Sequence, residues 1–255
     1  MPLPEQENMR ATAFEFRMRM AILFILVAIG FWAPWTSSVG VGGRTPLLEW
    51  MALEISRAGL LSFTTAIAAV IVLATVVAAV AAVFRVWGTA WLGHGTVNSF
   101  ELDGGAVVAR GPYRYVRNPL YIGTWCLIAA IAFVMPVSGA LVCMVLLSVF
   151  LLRLVLAEEA FLSSHIGEDY LAYRRAVPRL FPQLRTSLPQ SAQTPHWGRA
   201  VLAEINPIGV FVITAVLSWR YDQALMLRAI LISFGVSLVV RALMPGGRDE
   251  ELVVR

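Results

Sequence analysis

The chain contains no lysine: all twenty of its basic residues are Arg. Schiff-base chemistry and lysine-held phosphates are thereby excluded. Only 14% of its 255 residues are charged, against about a quarter in ordinary soluble domains. Cysteine is nearly absent too. Cys126 and Cys143 both fall inside apolar runs, which gives neither a disulfide framework nor the spacing of a metal cluster. The three histidines, His94, His165 and His196, are scattered without ligand spacing, so no metal site is expected, and His94 and His165 read as surface residues. The opening MPLPEQENMR is acidic and no A-x-A site follows the first apolar run, so a cleaved signal peptide is not expected.

What the chain has in quantity is apolar surface, 58% hydrophobic residues and a mean hydropathy of +0.73. Lipid is the solvent such a composition requires. The formal charge of +4 is then a matter of topology. Arg117, Arg174, Arg175 and Arg179 adjoin apolar segments, as Arg does in cytoplasmic loops, and no nucleic-acid partner is expected.

Residues 20 to 36 form a first apolar run, preceded by Arg10, Arg17 and Arg19 and ended by Trp32 and Trp35 around Pro34, which predicts a crossing from the cytoplasm. The loop SSVGVGGRTPLLEWMALEISR has balanced charge and predicts an outer loop with a short interfacial helix. From Ala58 to Phe84 there are 27 uncharged residues, about 40 Å of helix and more than the hydrocarbon core needs. Between Arg117 and Arg153 lie 35 uncharged residues broken at MPVSG by Pro136 and Gly139, which predicts a tight hairpin with both ends cytoplasmic. Residues 158 to 200 are polar and Arg-bearing and are expected at the cytoplasmic surface. The run INPIGVFVITAVLSW and its successor, to about Leu243, read as a last hairpin, with Arg228 snorkelling to the outer interface. A re-entrant pair is the alternative. The expected architecture is an all-α transmembrane bundle, a single membrane domain over 1–255 with about six spans and both termini cytoplasmic.

Two segments put charged and aromatic groups at the two ends of the central hairpin: ARGPYRYVRNPLYIGTW and AEEAFLSSHIGEDYLAYRRAVPRLFP. Their sequence resembles the integral-membrane methyltransferases that include isoprenylcysteine carboxyl methyltransferase and the phospholipid N-methyltransferases. The first motif is carried by Gly111, Tyr113, Arg114, Arg117, Asn118, Pro119, Tyr121 and Gly123. The second is carried by Glu158, Glu159, Ile166, Gly167, Tyr170, Tyr173, Val177, Pro178 and Pro182. The resemblance spans Leu102 to Pro182, which is expected to be the core, with 200–245 as an additional helical hairpin. Asn118 stands where the isoprenylcysteine branch has His, and Ile166 where many members have Phe. The first departure argues against an isoprenylcysteine acceptor.

The resemblance implies S-adenosyl-L-methionine as cofactor, held in a cytoplasmic pocket. That molecule carries a carboxylate, an ammonium, a sulfonium, ribose hydroxyls and an adenine, so its site needs cations, anions and aromatic faces together. Arg117 or Arg114 can pair with the carboxylate bidentately and Asn118 can add a neutral hydrogen bond. Glu158 and Glu159 can accept from the ammonium or ribose. Tyr113, Tyr121, Tyr170 and Tyr173 can face adenine or the sulfonium. Gly111 and Gly123 permit close approach, and Pro119 completes the cofactor set. Arg117, Asn118 and Glu159 are the expected catalytic residues, and Arg174 is expected to steer substrate. The expected reaction is methyl transfer to a lipidic or hydrophobic carboxylate or amine, in a protein of the bacterial inner membrane. Two other readings stand beside it: an NADPH-dependent membrane reductase of sterol-reductase-like architecture, and a non-enzymatic membrane partner protein.

Overall fold

The computed structural model describes residues 10–33, 43–92, 100–103, 106–186, 188–189 and 194–243. Among the described residues the regular structure is helical apart from one short antiparallel hairpin, β1 (Phe100–Asp103) with β2 (Ala106–Ala109). The helices are α1 (Ala13–Arg17), α2 (Arg19–Trp32), α3 (Leu47–Arg57), α4 (Phe63–Trp91), α5 (Pro119–Ala132), α6 (Val137–Ile166), α7 (Glu168–Ala176), α8 (Trp197–Ala203), α9 (Ile205–Leu217) and α10 (Gln223–Leu243). Of these, α4, α6 and α10 are each long and apolar enough to cross a membrane. The pair α8 and α9 passes the same test together, bent by 70° at Glu204. The chain is an integral membrane protein.

The first apolar run is helical from Arg19 to Trp32 and stops at Ala33, whose left-handed backbone ends it; Pro34, Trp35 and Thr36 lie outside the described residues. Ahead of it, α1 opens on a capping box between Thr12 and Glu15, whose reciprocal hydrogen bonds satisfy two otherwise orphaned N–H groups. The expected interfacial helix is α3. Ala52, with Leu48, Met51 and Ile55, forms one helical face against Ile67, Val70, Ile71 and Ala74 of α4.

The second crossing differs from the sequence reading at both ends. It begins at Phe63, where the Ser62 side chain accepts from the Thr65 N–H, rather than at Ala58. It also runs past Arg85 to Trp91, because Arg85 is paired inside the protein and so does not mark the membrane edge.

The hairpin turns at Phe133–Pro136, between α5 and α6. Its turn is clipped to α3: the Leu47 and Leu48 N–H groups donate to the carbonyls of Met135 (2.8 Å) and Phe133 (3.0 Å). Close by, α2 crosses α6 at two glycines. A Cβ on Gly139 would run into the Gly30 carbonyl, so only glycine lets these backbones meet. At the other end α6 continues through both acidic residues to Ile166. Residues 177–186 then fold back over the RGPYRYVRN segment. The Arg117 N–H donates to the Pro178 carbonyl (2.9 Å), and the Gln183 N–H donates to the Tyr115 carbonyl (3.0 Å).

Candidate functional site

Gly111–Arg114 forms one 3-10 turn between the β-hairpin and α5. Gly111 has φ +44, and a Cβ there would collide with the Trp91 indole, so both the backbone conformation and the packing require glycine. The turn directs Tyr113 inward, where it is buried with Ala90, Trp91 and Ala200. Asn118 occupies the position just before a helix that starts on Pro119, where a missing N–H costs nothing, and its side chain makes no capping hydrogen bond. Val116, Asn118 and Pro119 are buried as well, so this polar stretch lies inside the protein rather than on its surface.

A cavity of about 120 Å³ opens at the base of the hairpin. Tyr113, Arg117, Asn118, Pro119, Tyr121, Glu158, Glu159, Tyr170 and Tyr173 line it, together with Leu92, Leu120 and Leu162. Nine of the residues singled out in the sequence thus converge on one space. The three leucines carry no local signal that separates them from any other apolar position.

The two acidic neighbours have different surroundings. Glu159 is 3% exposed, and its oxygens are taken up by the protein. Arg117 Nη1 lies 3.0 Å from Oε1. Arg179 donates from Nε to both oxygens (3.2 and 3.1 Å) and from Nη2 to Oε2 (2.9 Å). Asn118 Nδ2 donates to Oε1 (3.2 Å) and to the Arg179 carbonyl (3.2 Å). Glu158 instead borders the cavity and accepts one hydrogen bond, from the Tyr121 hydroxyl (2.8 Å). The Arg117 Nε and the Tyr113 hydroxyl are buried without a hydrogen-bond partner among the described residues.

Tyr170 and Tyr173 are both buried, against Ala109 and Val177. The Tyr173 hydroxyl donates to the Tyr113 carbonyl (2.8 Å) and so ties α7 to the 3-10 turn. Burial pushes the Tyr170 phenol up to about 12, with the Glu159 charge adding to the effect. Burial likewise raises Tyr113, with Tyr173 next to it contributing. Both remain neutral phenols at physiological pH.

Four of the expected residues stand apart from the cavity lining. Gly111 packs on Trp91, and Gly123 packs on Arg85, whose Cγ would lie 2.8 Å from a Cβ there. Arg114 turns toward the fold-back segment, donating from Nε (2.9 Å) and Nη2 (2.6 Å) to the Leu188 carbonyl. Arg174 donates to the Ser163 hydroxyl (3.2 Å) on the end of α6. Arg179, which the sequence groups with Arg174 and Arg175 beside an apolar segment, belongs to the Glu159 cluster. The only local hint was its place beside Pro178 in the second motif. His165 is exposed and lies against Phe161, with ring centroids 3.9 Å apart and the planes tilted by 30°, and His196 is exposed at the start of α8; His94 lies outside the described residues.

Comparison with known proteins bears on the same stretch. Residues 61–169 match the phospholipid methyltransferase family. A methanethiol S-methyltransferase of Crocosphaera subtropica is 39% identical over 70 residues, which is 28% of this chain and 27% of the relative. The match thus spans about a quarter of that relative's length. No solved structure matches the chain.

Proposed function

We propose that the chain is a membrane methyltransferase of the phospholipid and isoprenylcysteine carboxyl methyltransferase type, which transfers a methyl group from S-adenosyl-L-methionine to a lipidic or hydrophobic acceptor; the matches to residues 61–169 and to a methanethiol S-methyltransferase support the reading. The observation that supports this is the company kept in one cavity: a buried guanidinium with an unused N–H, a carboxylate with spare acceptor capacity, and four tyrosines. Those are complementary to a carboxylate, an ammonium and a cationic or aromatic surface, the groups this cofactor carries. The bound cofactor supplies an electrophilic methyl on a sulfonium.

The protein's own residues bind and align. Arg117 holds the carboxylate through Nε. Glu158 accepts from the ammonium or the ribose, and the Tyr121 hydroxyl fixes its orientation. Tyr113, Tyr121 and Tyr170 present ring faces. Asn118 and Glu159 act one step back, with Arg179, by holding Arg117 in place. Methyl transfer is an in-line displacement, so alignment and exclusion of water carry most of the catalysis, and no strong general acid is required. An amine or thiol acceptor must lose a proton, and Glu158 is the carboxylate placed to take it.

The six-span reading counts the shorter apolar helices α2 and α5 with the three long apolar helices and takes the bent α8–α9 pair as one crossing. The described ends support termini on the site's face: the Ala11 N–H donates to the Arg153 carbonyl (3.1 Å), and Arg241 reaches the Ala203 carbonyl (3.3 Å). The Arg-rich character of that face supports a cytoplasmic site, in the inner membrane of a bacterium. The core is 102–182, and 200–245 is appended to it. An acceptor dissolved in the bilayer reaches such a site laterally.

Calorimetric titration of the purified protein with S-adenosylhomocysteine and NADPH tests the proposal. Binding of the former and not the latter is expected; binding of NADPH alone overturns it. Mass spectrometry of lipids and thiols from cells with and without the gene, scanning for a mass gain of one methylene, identifies the acceptor.

A further inference from the structure

A charge in the body of an apolar helix needs a partner, and such a residue usually has a task. Arg85 lies in α4, deep in a 29-residue helix. Its Nε and Nη2 each donate to one oxygen of Glu204 at 2.8 Å, a two-pronged pair. The Thr89 hydroxyl, one turn on, donates to the same carboxylate at 2.6 Å. Glu204 is 2% exposed and sits at the 70° break between α8 and α9.

The same guanidinium also reaches α5, where Nη1 donates to the Thr124 hydroxyl (3.3 Å). Gly123 rests on the Arg85 stem, and a Cβ there would be 3.1 Å from the Arg85 backbone nitrogen. One side chain therefore ties together α4, α5 and the α8–α9 break. The first turn of α5 carries Leu120 and Tyr121 into the cavity. On α4, Gly88 takes the Leu120 side chain at 2.6 Å and lies 3.7 Å from the Tyr113 hydroxyl, measured to a Cβ built there. From the other side, α8 sets Ala200 against Tyr113 and Trp91, and the His196 N–H donates to the Ala90 carbonyl (2.8 Å). Glu204, Ala200 and His196 all lie beyond the stretch that matches the phospholipid methyltransferase family.

We propose that the C-terminal helices are a working part of the cofactor cavity and that Glu204 is a positioning residue. Through Arg85 and Thr89 it sets α4 against α5, so that Tyr113, Leu120 and Tyr121 stand at the spacing the ligand requires. The proposal rests on reading the cavity as the S-adenosylmethionine site.

The test uses the full-length protein, with S-adenosylhomocysteine affinity and melting temperature measured in one detergent. Replacing a buried ion pair by apolar side chains of similar size costs little stability. The Arg85→Met, Glu204→Leu double variant therefore keeps a melting temperature near the wild type, but binds about tenfold more weakly, a loss of roughly 1.4 kcal/mol. Thr89→Val, which leaves the pair intact, weakens binding about threefold with no change in melting, roughly the effect of one hydrogen bond. A purely structural pair moves melting and leaves affinity alone. Unchanged affinity in the double variant overturns the proposal; if that variant does not fold, unchanged affinity in Thr89→Val does so. A wild type that binds no S-adenosylhomocysteine overturns the reading of the cavity and this inference together, whereas binding that every variant retains removes only the inference.

Discussion

Two carboxylates are buried beside the helices that form the cavity, and each is matched by arginine, yet the two regions are built differently. Glu204 meets Arg85 one to one, and the threonine hydroxyls of Thr89 and Thr124 complete a closed group. Glu159 meets both Arg117 and Arg179, so two cations face one anion at the cavity wall. The first arrangement is neutral and holds helices together. The second has a positive charge to spare, with the Arg117 Nε unused, and that surplus suits an anionic group on a ligand. The same chemical pair thus closes on itself in one place and leaves a cation unbalanced in the other, and the difference lies in stoichiometry and in what borders it.

The strongest way to break that comparison is Glu159→Gln. It leaves two guanidiniums facing each other without their anion, a loss of about 3–5 kcal/mol by analogy with broken buried pairs. A large fall in melting temperature together with lost S-adenosylhomocysteine binding is expected; melting like that of the wild type contradicts a structural duty for Glu159. Glu158→Gln sharpens the contrast from the neighbouring residue. Its carboxylate borders the cavity and, among the described residues, accepts a hydrogen bond only from the Tyr121 hydroxyl, so melting stays constant while affinity falls about tenfold, the worth of one charge-assisted hydrogen bond. A parallel drop in melting temperature makes Glu158 a structural residue.

The smallest effect concerns Glu15, a pair at the edge of the bundle. Arg153 donates to it from Nε (3.2 Å) and Nη2 (2.8 Å), and these bonds, with the Thr12 N–H, hold the Glu15 carboxyl at about 2, below its ordinary 4.5. A depressed folded-state value means that the stabilisation is full above the ordinary value and is lost as pH falls toward about 2. Glu15→Gln therefore melts slightly below wild type at neutral pH, by little because the pair is partly exposed. The gap closes on acidification through that window. A gap that stays constant down to low pH shows that charge at Glu15 contributes nothing.

The central hairpin was legible because its signals are local: an uncharged run, a Pro–Gly interruption, and arginines at both ends. The two motifs were legible for the same reason, and nine of their residues do meet at the cavity. The Arg85–Glu204 pair was not legible, because its members are 119 positions apart and each has an ordinary local meaning, the edge of a crossing or the start of an apolar run. Arg114 was ambiguous because its partner is the backbone carbonyl of Leu188, and a carbonyl leaves no trace in residue type. The division of labour between Glu158 and Glu159 was equally hidden. Adjacent positions on a helix point about 100° apart, and only the packed neighbours decide which one meets arginine.

The contact between Gly30 and Gly139 has a mechanical consequence for the far end of α6. Near that contact the hairpin is pinned, backbone against backbone and by main-chain hydrogen bonds to α3. From Val137 to Glu159 the helix rises by about 33 Å. A tilt of about 1° at the pinned end then swings Glu159 by about 0.6 Å, as much as the whole usual range of an N–H···O bond length. The glycine crossing is in effect the fulcrum of a lever, and a methyl group added there would be felt as a misaligned arginine at the opposite side of the membrane.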